Sequence, residues 1–226
     1  MRLNRLSASL ALVVFAAAGV SAHDHDHGNV SHVNKGISIE AGNRAGELDT
    51  VNGSITIGDN AVIDSAETVN GSIRVGEGAQ AKSLETVNGS IGAGARASVS
   101  GDVETVNGAI SLGEDAEVLG NAETVNGGLR LAARAHVVGQ LVTHNGDITL
   151  HDNARVEGGI LVKKNRSSWF SGKQRTPVIT IGPGAQVDGS LVFEREVELK
   201  VHESARIGRV EGATATRFGG AMQVEK

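Results

Sequence analysis

The amino-acid sequence predicts an all-β protein, a single-stranded parallel β-helix (a solenoid) of roughly nine triangular coils of 18–19 residues. One indication is an internal repeat. The string Thr-Val-Asn-Gly-Ser-Ile at residues 50–55 returns with small changes in steps of 18 or 19 residues. The other is composition: the 226 residues include 31 Gly but only four Phe, one Trp, no Tyr and no Cys. A narrow tube built from Val, Ile, Leu and Ala needs neither an aromatic core nor disulfides.

A finer period of six residues divides each coil into three short strands. Apolar residues recur at this spacing, for example at Ile57, Ile63, Val69 and Val75. The pattern predicts that these side chains, including the Val of the repeated motif, fill the interior of the tube. A strict six-residue period is more typical of left-handed coils, but the sequence leaves the handedness open.

The Asn-Gly pair of each repeat is a turn signal and predicts one corner of every coil. Glycines at such corners supply backbone conformations that other residues resist. Because coils stack in parallel about 4.8 Å apart, we expect the asparagines to form a hydrogen-bonded ladder along the rod. The predicted ladder consists of Asn52, Asn70, Asn88, Asn107, Asn126 and Asn145.

The chain divides into four parts on the basis of composition. Residues 1–22 read as a signal peptide, with Arg2 and Arg5 before a short apolar run and small residues at the cleavage site. Residues 23–32 form a His/Asp-rich leader that we expect to be disordered. The β-helix covers 33–211, and 212–226 form a C-terminal cap or tail. We therefore expect an exported protein (periplasmic, cell-surface or secreted), with no transmembrane segment after removal of the signal.

The charge and the leader constrain the partners. Loss of the two arginines with the signal peptide takes the formal net charge from −5 to −7, which disfavours nucleic acid as a partner. The leader places His23, His25 and His27 next to carboxylates, a combination that suits divalent transition metals. We expect no cofactor, and this cluster is the candidate for adventitious Cu, Ni or Zn. The alternative is a solvated leader without a metal.

Residues 163–175 interrupt the repeat and hold five positive charges and the only Trp. Strand-like runs flank this segment, so we interpret it as a loop that leaves the rod. Basic and aromatic side chains together suit an anionic glycan, a lipid headgroup or an acidic partner protein. The alternative is that the aromatic residues pack against the rod and the cations are solvated. The candidate contact residues are Lys163, Lys164, Arg166, Trp169, Phe170, Lys173 and Arg175.

Two further features carry chemistry. An acidic residue precedes five of the repeated Thr residues, and stacking should place these carboxylates in one column as either a solvated face or a cation site. The five acids are Asp49, Glu67, Glu85, Glu104 and Glu123. His144 replaces the Val of its motif, and hexapeptide acyltransferases use a His beside such a coil. No second base or nucleophile accompanies His144, so we expect no enzymatic activity, with an acyltransferase as the enzymatic alternative.

The repeated Gly-Ser-Ile strings and the segment 181–191 (IGPGAQVDGSL) resemble the bactofilins, also called polymer-forming cytoskeletal proteins. The resemblance covers most of residues 33–210. It implies a β-helix, which in that family is right-handed, and polymerisation end to end without a nucleotide. Bactofilins are mostly cytoplasmic or membrane-associated on that side, so this chain resembles an exported variant.

These features together predict a non-enzymatic structural or scaffold protein of the bacterial cell envelope that associates with itself end to end. The alternative is an envelope binding module or adhesin, in which the basic Trp loop contacts an anionic glycan or a protein.

Overall fold

Three parallel β-sheets run along the length of the molecule and form the sides of a triangular tube. The computed structural model describes residues 28–164 and 175–220, and the described residues contain no helix. The chain winds through about nine turns of about 19 residues, so the predicted all-β solenoid is confirmed. The predicted signal peptide and the metal candidates His23, His25 and His27 lie outside the described residues.

The chain visits the three sheets in turn, and each coil contributes at most one strand to each sheet. Sheet 1 contains β1 (Val30–His32), β3 (Leu48–Asn52), β5 (Ser65–Asn70), β8 (Ser83–Asn88), β11 (Val103–Thr105), β14 (Ala122–Thr124), β17 (Leu141–Thr143), β20 (Ile160–Val162), β23 (Leu191–Phe193) and β26 (Val210–Glu211). Sheet 2 contains β2 (Ile37–Ile39), β4 (Ile55–Ile57), β6 (Ile73–Val75), β9 (Ile91–Ala93), β12 (Ile110–Leu112), β15 (Leu129–Leu131), β18 (Ile148–Leu150), β21 (Val178–Ile181), β24 (Glu198–His202) and β27 (Ala215–Phe218).

Sheet 3 has the shortest strands, of two residues each. It contains β7 (Gln80–Ala81), β10 (Ser98–Val99), β13 (Glu117–Val118), β16 (His136–Val137), β19 (Arg155–Val156), β22 (Gln186–Val187) and β25 (Arg206–Ile207). Isolated bridges from Arg44 to Val62 and from Val62 to Gln80 continue this sheet toward the N-terminal end.

The register keeps equivalent residues of the repeat directly above one another. Ile55 pairs with Ile73 one coil later, and Ile110 pairs with Leu129. Side chains alternate between the two faces of a strand, so each interior position becomes a column of aliphatic residues along the tube. Leu48, Ile73 and Ile148 are fully buried in these columns, and Phe193 is the one aromatic residue among the described core residues.

One predicted interior position is wrong. The Val residues of the motif, such as Val69 and Val87, lie half-exposed on the outer face of sheet 1, and the preceding Thr68 and Thr86 point inward and are buried. The buried hydroxyl is satisfied: Thr86 Oγ1 donates to the carbonyl oxygen of Gly71 in the preceding coil, at 2.9 Å. Because that hydrogen bond is available, the coil can bury Thr and leave Val outside.

The corner between sheets 1 and 2 carries the ladder of asparagines. Each Asn Nδ2 donates to the Asn Oδ1 one coil earlier, as from Asn88 to Asn70 at 2.9 Å. The ladder begins at Asn34, one coil before the repeats that reveal it in the sequence. The bonded pairs, in order, link Asn34, Asn52, Asn70, Asn88, Asn107, Asn126 and Asn145.

The glycine that follows each asparagine from Asn52 to Asn145 is required by close stacking. A Cβ on Gly89 would overlap the carbonyl oxygen of Gly71, and one on Gly108 would overlap that of Gly89. The glycines of these Asn-Gly pairs have no positive φ, whereas left-handed backbone recurs at the corner between sheets 2 and 3. There Asn60, Arg96 and Asp115 have φ values of 57°, 56° and 57°. At the corner between sheets 1 and 2, the glycines of the Asn-Gly pairs therefore allow the coils to stack closely and do not serve to supply a positive φ.

The coils extend slightly beyond the bounds predicted from the repeat. Strand β1 lies within the predicted leader, because Val30 and Ser31 pair in register with Leu48 and Asp49. Strand β27 lies within the predicted cap or tail. Its Phe218 packs edge-on against His202, with ring centroids 5.2 Å apart. Both outer coils depart from the repeat string, so the pattern alone does not reveal them.

Two glycine substitutions should separate the effect of stacking from the effect of glycine itself. Gly89→Ala should lower the free energy of unfolding by about 3 kcal/mol, because the new methyl group collides with rigid backbone. Gly92 lies three residues further on, in β9 of sheet 2, where a Cβ meets nothing within 4 Å. Gly92→Ala should therefore raise the free energy of unfolding by about 0.5 kcal/mol. Urea denaturation of both variants tests this. Equal effects at the two positions would contradict the stacking argument.

Candidate functional site

The irregular segment leaves the rod at the corner where earlier coils close with Asn-Gly. Ile148 of β18 pairs with Ile179 of β21, a step of 31 residues instead of 19, so the insertion lies between sheets 1 and 2. In register, Val162 takes the place of the buried motif Thr143. The next residues, Lys163 and Lys164, therefore take the positions of the motif Val and of the ladder Asn.

The described ends of this segment are held to the rod by charged contacts. Lys163 Nζ lies 2.8 Å from Glu123 Oε1, and the lysine side chain is only 16 % exposed. At the other end Arg175 Nη2 lies 2.6 Å from Asp147 Oδ2, and the same carboxylate accepts a hydrogen bond from the Val178 backbone N–H. Of the predicted contact residues, Lys163 and Arg175 are thus paired within the chain. Lys164 is exposed, and Arg166, Trp169, Phe170 and Lys173 lie outside the described residues.

Arg195 completes this anchor, and sequence reasoning missed it. Its Nη1 donates to Asn145 Oδ1 at 2.7 Å and to the His144 carbonyl oxygen at 2.9 Å. Its Nη2 donates to the carbonyl oxygen of Arg175 at 3.0 Å. Arg195 follows Phe193, which pairs with Val162, so it stands at the ladder position two coils beyond Asn145. A signal was available, since an Arg occupies the Asn position once the register is continued past the insertion.

The five acids stack on the outer face of sheet 1 as predicted from the repeat. We call Asp49, Glu67, Glu85, Glu104 and Glu123 the acid ladder; the register pairs each with the next. All five are half-buried. Lys163 pairs with the last member, and Ser31 Oγ donates to Asp49 at 3.4 Å. Among the described residues no cation pairs with the three middle members.

Burial and mutual repulsion disturb the titration of this ladder. Burial, followed by the charges of Glu67 and Glu104, raises the pKa of Glu85 to about 7. Burial also raises the pKa of Glu67, with the neighbouring Asp49 and Glu47 adding to the effect. For Glu104, burial and Glu123 raise the pKa while Lys163 opposes them. Glu67, Glu85 and Glu104 therefore hold protons more tightly than separate carboxylates in water.

The remaining candidates form no assembled centre in the described part of the chain. His144 is half-buried at the motif-Val position, and its carbonyl oxygen accepts the hydrogen bond from Arg195. No group of three or more His, Asp or Glu side chains in residues 28–164 and 175–220 is arranged to hold a metal ion. In the same residues no helix is long and apolar enough to cross a bilayer.

The structure shows that the chain is a β-solenoid, and comparison with known proteins adds no family. No family model, no curated protein and no solved structure matches it.

The acid ladder should make the protein more stable in mild acid. Because the pKa of Glu85 is raised to about 7 in the folded protein, the stabilisation is fully present below the unfolded value near 4.3. It is lost as the pH rises through 7. Glu85→Gln should raise the free energy of unfolding at pH 8 by about 1 kcal/mol, allowing for the half-exposed carboxylate. Urea denaturation at about pH 5 and pH 8 measures the difference.

The control for this experiment is Glu40→Gln, which removes an exposed acid outside the ladder. It should leave the pH dependence of the wild-type protein unchanged. A wild-type protein that is less stable at the lower pH would contradict the linkage argument.

Proposed function

We propose that this protein is a non-enzymatic structural rod of the bacterial cell envelope that associates with itself end to end, as an exported relative of the bactofilins. The export signal predicted for residues 1–22 supports the envelope location. The regular coils and the sequence strings at 181–191 support the relation to bactofilins. The proposal assigns no catalytic residue.

The observation that carries this proposal is the exposure of apolar side chains at the two ends of the tube. The middle coils bury their interior columns completely, whereas Val30 and Ile39 at one end are only partly covered. At the other end Ile207, Val210, Ala213 and Ala215 are also only partly buried against the core.

An incompletely covered end of a solenoid favours stacking on another coil. Each coil in the middle of the rod buries its apolar residues and pairs its strands with two neighbours, but an end coil has only one neighbour among the described residues. A second copy supplies the same coil geometry, the same strand spacing and the same aliphatic columns. End-to-end contact therefore extends the existing sheets without a new kind of interface.

Charged residues at the ends should prevent this association. The paired substitutions Val30→Lys with Ile39→Lys, or Ala213→Lys with Ala215→Lys, place charges on the end coils and should convert filaments to monomers. Sedimentation velocity and negative-stain electron microscopy measure the change. The control Gln80→Lys with Ser100→Lys adds the same charge to exposed positions on and beside sheet 3 and should leave filament length unchanged.

The result that overturns the proposal is a wild-type protein that stays monomeric at high concentration. Equal assembly by the end variants, with circular dichroism confirming that they are folded, would overturn it as well.

A second candidate function is an envelope binding module, and the anchored insertion is the observation that favours it. Both described ends of the segment are fixed by Glu123, Asp147 and Arg195, which is more support than a passive linker needs. Lys163 and Arg175 already pair with carboxylates, so Lys164 is the cation of the described part of this segment that has no acidic partner. The sequence adds Arg166 and Lys173 as candidate contacts.

The triple variant Arg166→Ala, Trp169→Ala and Lys173→Ala should reduce retention on immobilised dextran sulfate about tenfold. Neutral dextran should retain neither protein. Lys82→Ala with Arg209→Ala removes the same charge from exposed positions on the rod and should have little effect. Unchanged retention of the triple variant would remove the segment from binding.

A further inference from the structure

The outer face of sheet 2 carries two cations that have no acidic partner among the described residues. Arg74 and Arg130 are both exposed, and neither forms an ion pair with any described residue. Lys200, further along, pairs only with its neighbour Glu198. The column formed by the middle outward residues of these strands contains no acid, and the outward acid Glu198 beside it pairs with Lys200. The column reads Ser38, Thr56, Arg74, Gly92, Ser111, Arg130, Thr149, Thr180, Lys200 and Thr216.

The acid ladder gives the outer face of sheet 1 the opposite charge to that of sheet 2, and the fold does not require these acids. The positions that continue the ladder beyond Glu123 hold Val142, Leu161 and Val192 in the same register. Apolar side chains therefore occupy this column in the same fold, with Val142 buried there, whereas five stacked carboxylates repel one another. This repulsion opposes folding of the isolated rod at neutral pH.

The two columns have the same spacing because they belong to the same repeat. Arg74 and Arg130 are three coils apart, which is about 14 Å at the strand spacing of a parallel sheet. Asp49 and Glu104 are also three coils apart, as are Glu67 and Glu123. A rod that sets Arg74 against one acid of a neighbouring rod therefore sets Arg130 against the acid three coils further along.

We propose that two copies of this chain associate side by side, the acid ladder of one copy against the sheet 2 face of the other. The intramolecular pair of Lys163 with Glu123 shows that the ladder accepts a cation in a largely covered position. The small side chains around Arg74 and Arg130 let the two faces approach. A second copy fits better than an unrelated partner, because its cations match the ladder in sign and in period.

This lateral contact goes beyond the end-to-end contact and is independent of it. Two different faces meet, so the interface is heterologous, and each rod keeps one free face of each kind for a further copy. The paired faces cover about 1,000 Å² in total for rods about 45 Å long, at the lower limit of specific interfaces. We therefore expect weak pairing of single rods and strong pairing of filaments, where the contacts repeat.

Charge exchange tests this interface. Arg74→Glu with Arg130→Glu reverses the sheet 2 face, and Asp49→Arg with Glu104→Arg reverses two ladder positions. Each double variant alone should weaken lateral association about a hundredfold, because like charges then oppose each other. An equimolar mixture of the two should restore it, since every contact regains opposite charges. Electron microscopy of bundles and sedimentation velocity at about 10 mM and about 1 M salt provide the readout, with bundles only at low salt.

The matched control is Arg44→Glu with Arg206→Glu, which makes the same charge change at exposed positions on sheet 3 and should leave bundles intact. Loss of bundles in this control, no rescue in the mixture, or wild-type bundles that persist at high salt would each overturn the proposal. Binding of polylysine by wild-type rods that never pair would assign the ladder to a basic partner instead. Single filaments without bundles would reject only the lateral contact, and laterally paired short rods would reject only the end-to-end contact.

Discussion

In-register stacking of parallel coils is the constraint on which the rest of this molecule depends. Once Ile55 pairs with Ile73, every other residue of the coil must also lie over its own equivalent, because the strand spacing is fixed by backbone hydrogen bonds. The sequence therefore repeats because each coil makes the same contacts with the next coil. A side chain is selected less for its own surroundings than for how well it stacks on a copy of itself.

Some residue types benefit from this arrangement and others do not. An Asn amide carries a donor and an acceptor, so Asn70 can accept from Asn88 while it donates to Asn52, and the ladder is satisfied at each step. A carboxylate has only acceptors, so Glu85 between Glu67 and Glu104 gains repulsion instead, and burial together with this repulsion raises its pKa to about 7. The same geometry thus stabilises one corner of the rod and destabilises one of its faces.

The repeat was enough to predict the coil, the ladder of Asn and the column of acids, because each follows directly from the spacing of identical residues. It was not enough to decide which of two neighbouring β-branched residues points inward. Thr86 is buried rather than Val87 because a carbonyl oxygen of the preceding coil happens to lie within reach of its hydroxyl. Arg195 was missed for a related reason, since its partners Asn145 and Arg175 become neighbours only after the insertion is folded into the register.

Departures from the repeat are therefore the most informative positions in such a chain. Where a column changes residue type without a change in fold, as from Glu123 to Val142, the earlier type is not explained by folding. Lys163 enters at this point and pairs with the last acid, so the chain itself neutralises the ladder where the ladder ends. The middle members have no such cation among the described residues. A column that lowers stability yet recurs over five coils is most simply explained by a contact outside the rod.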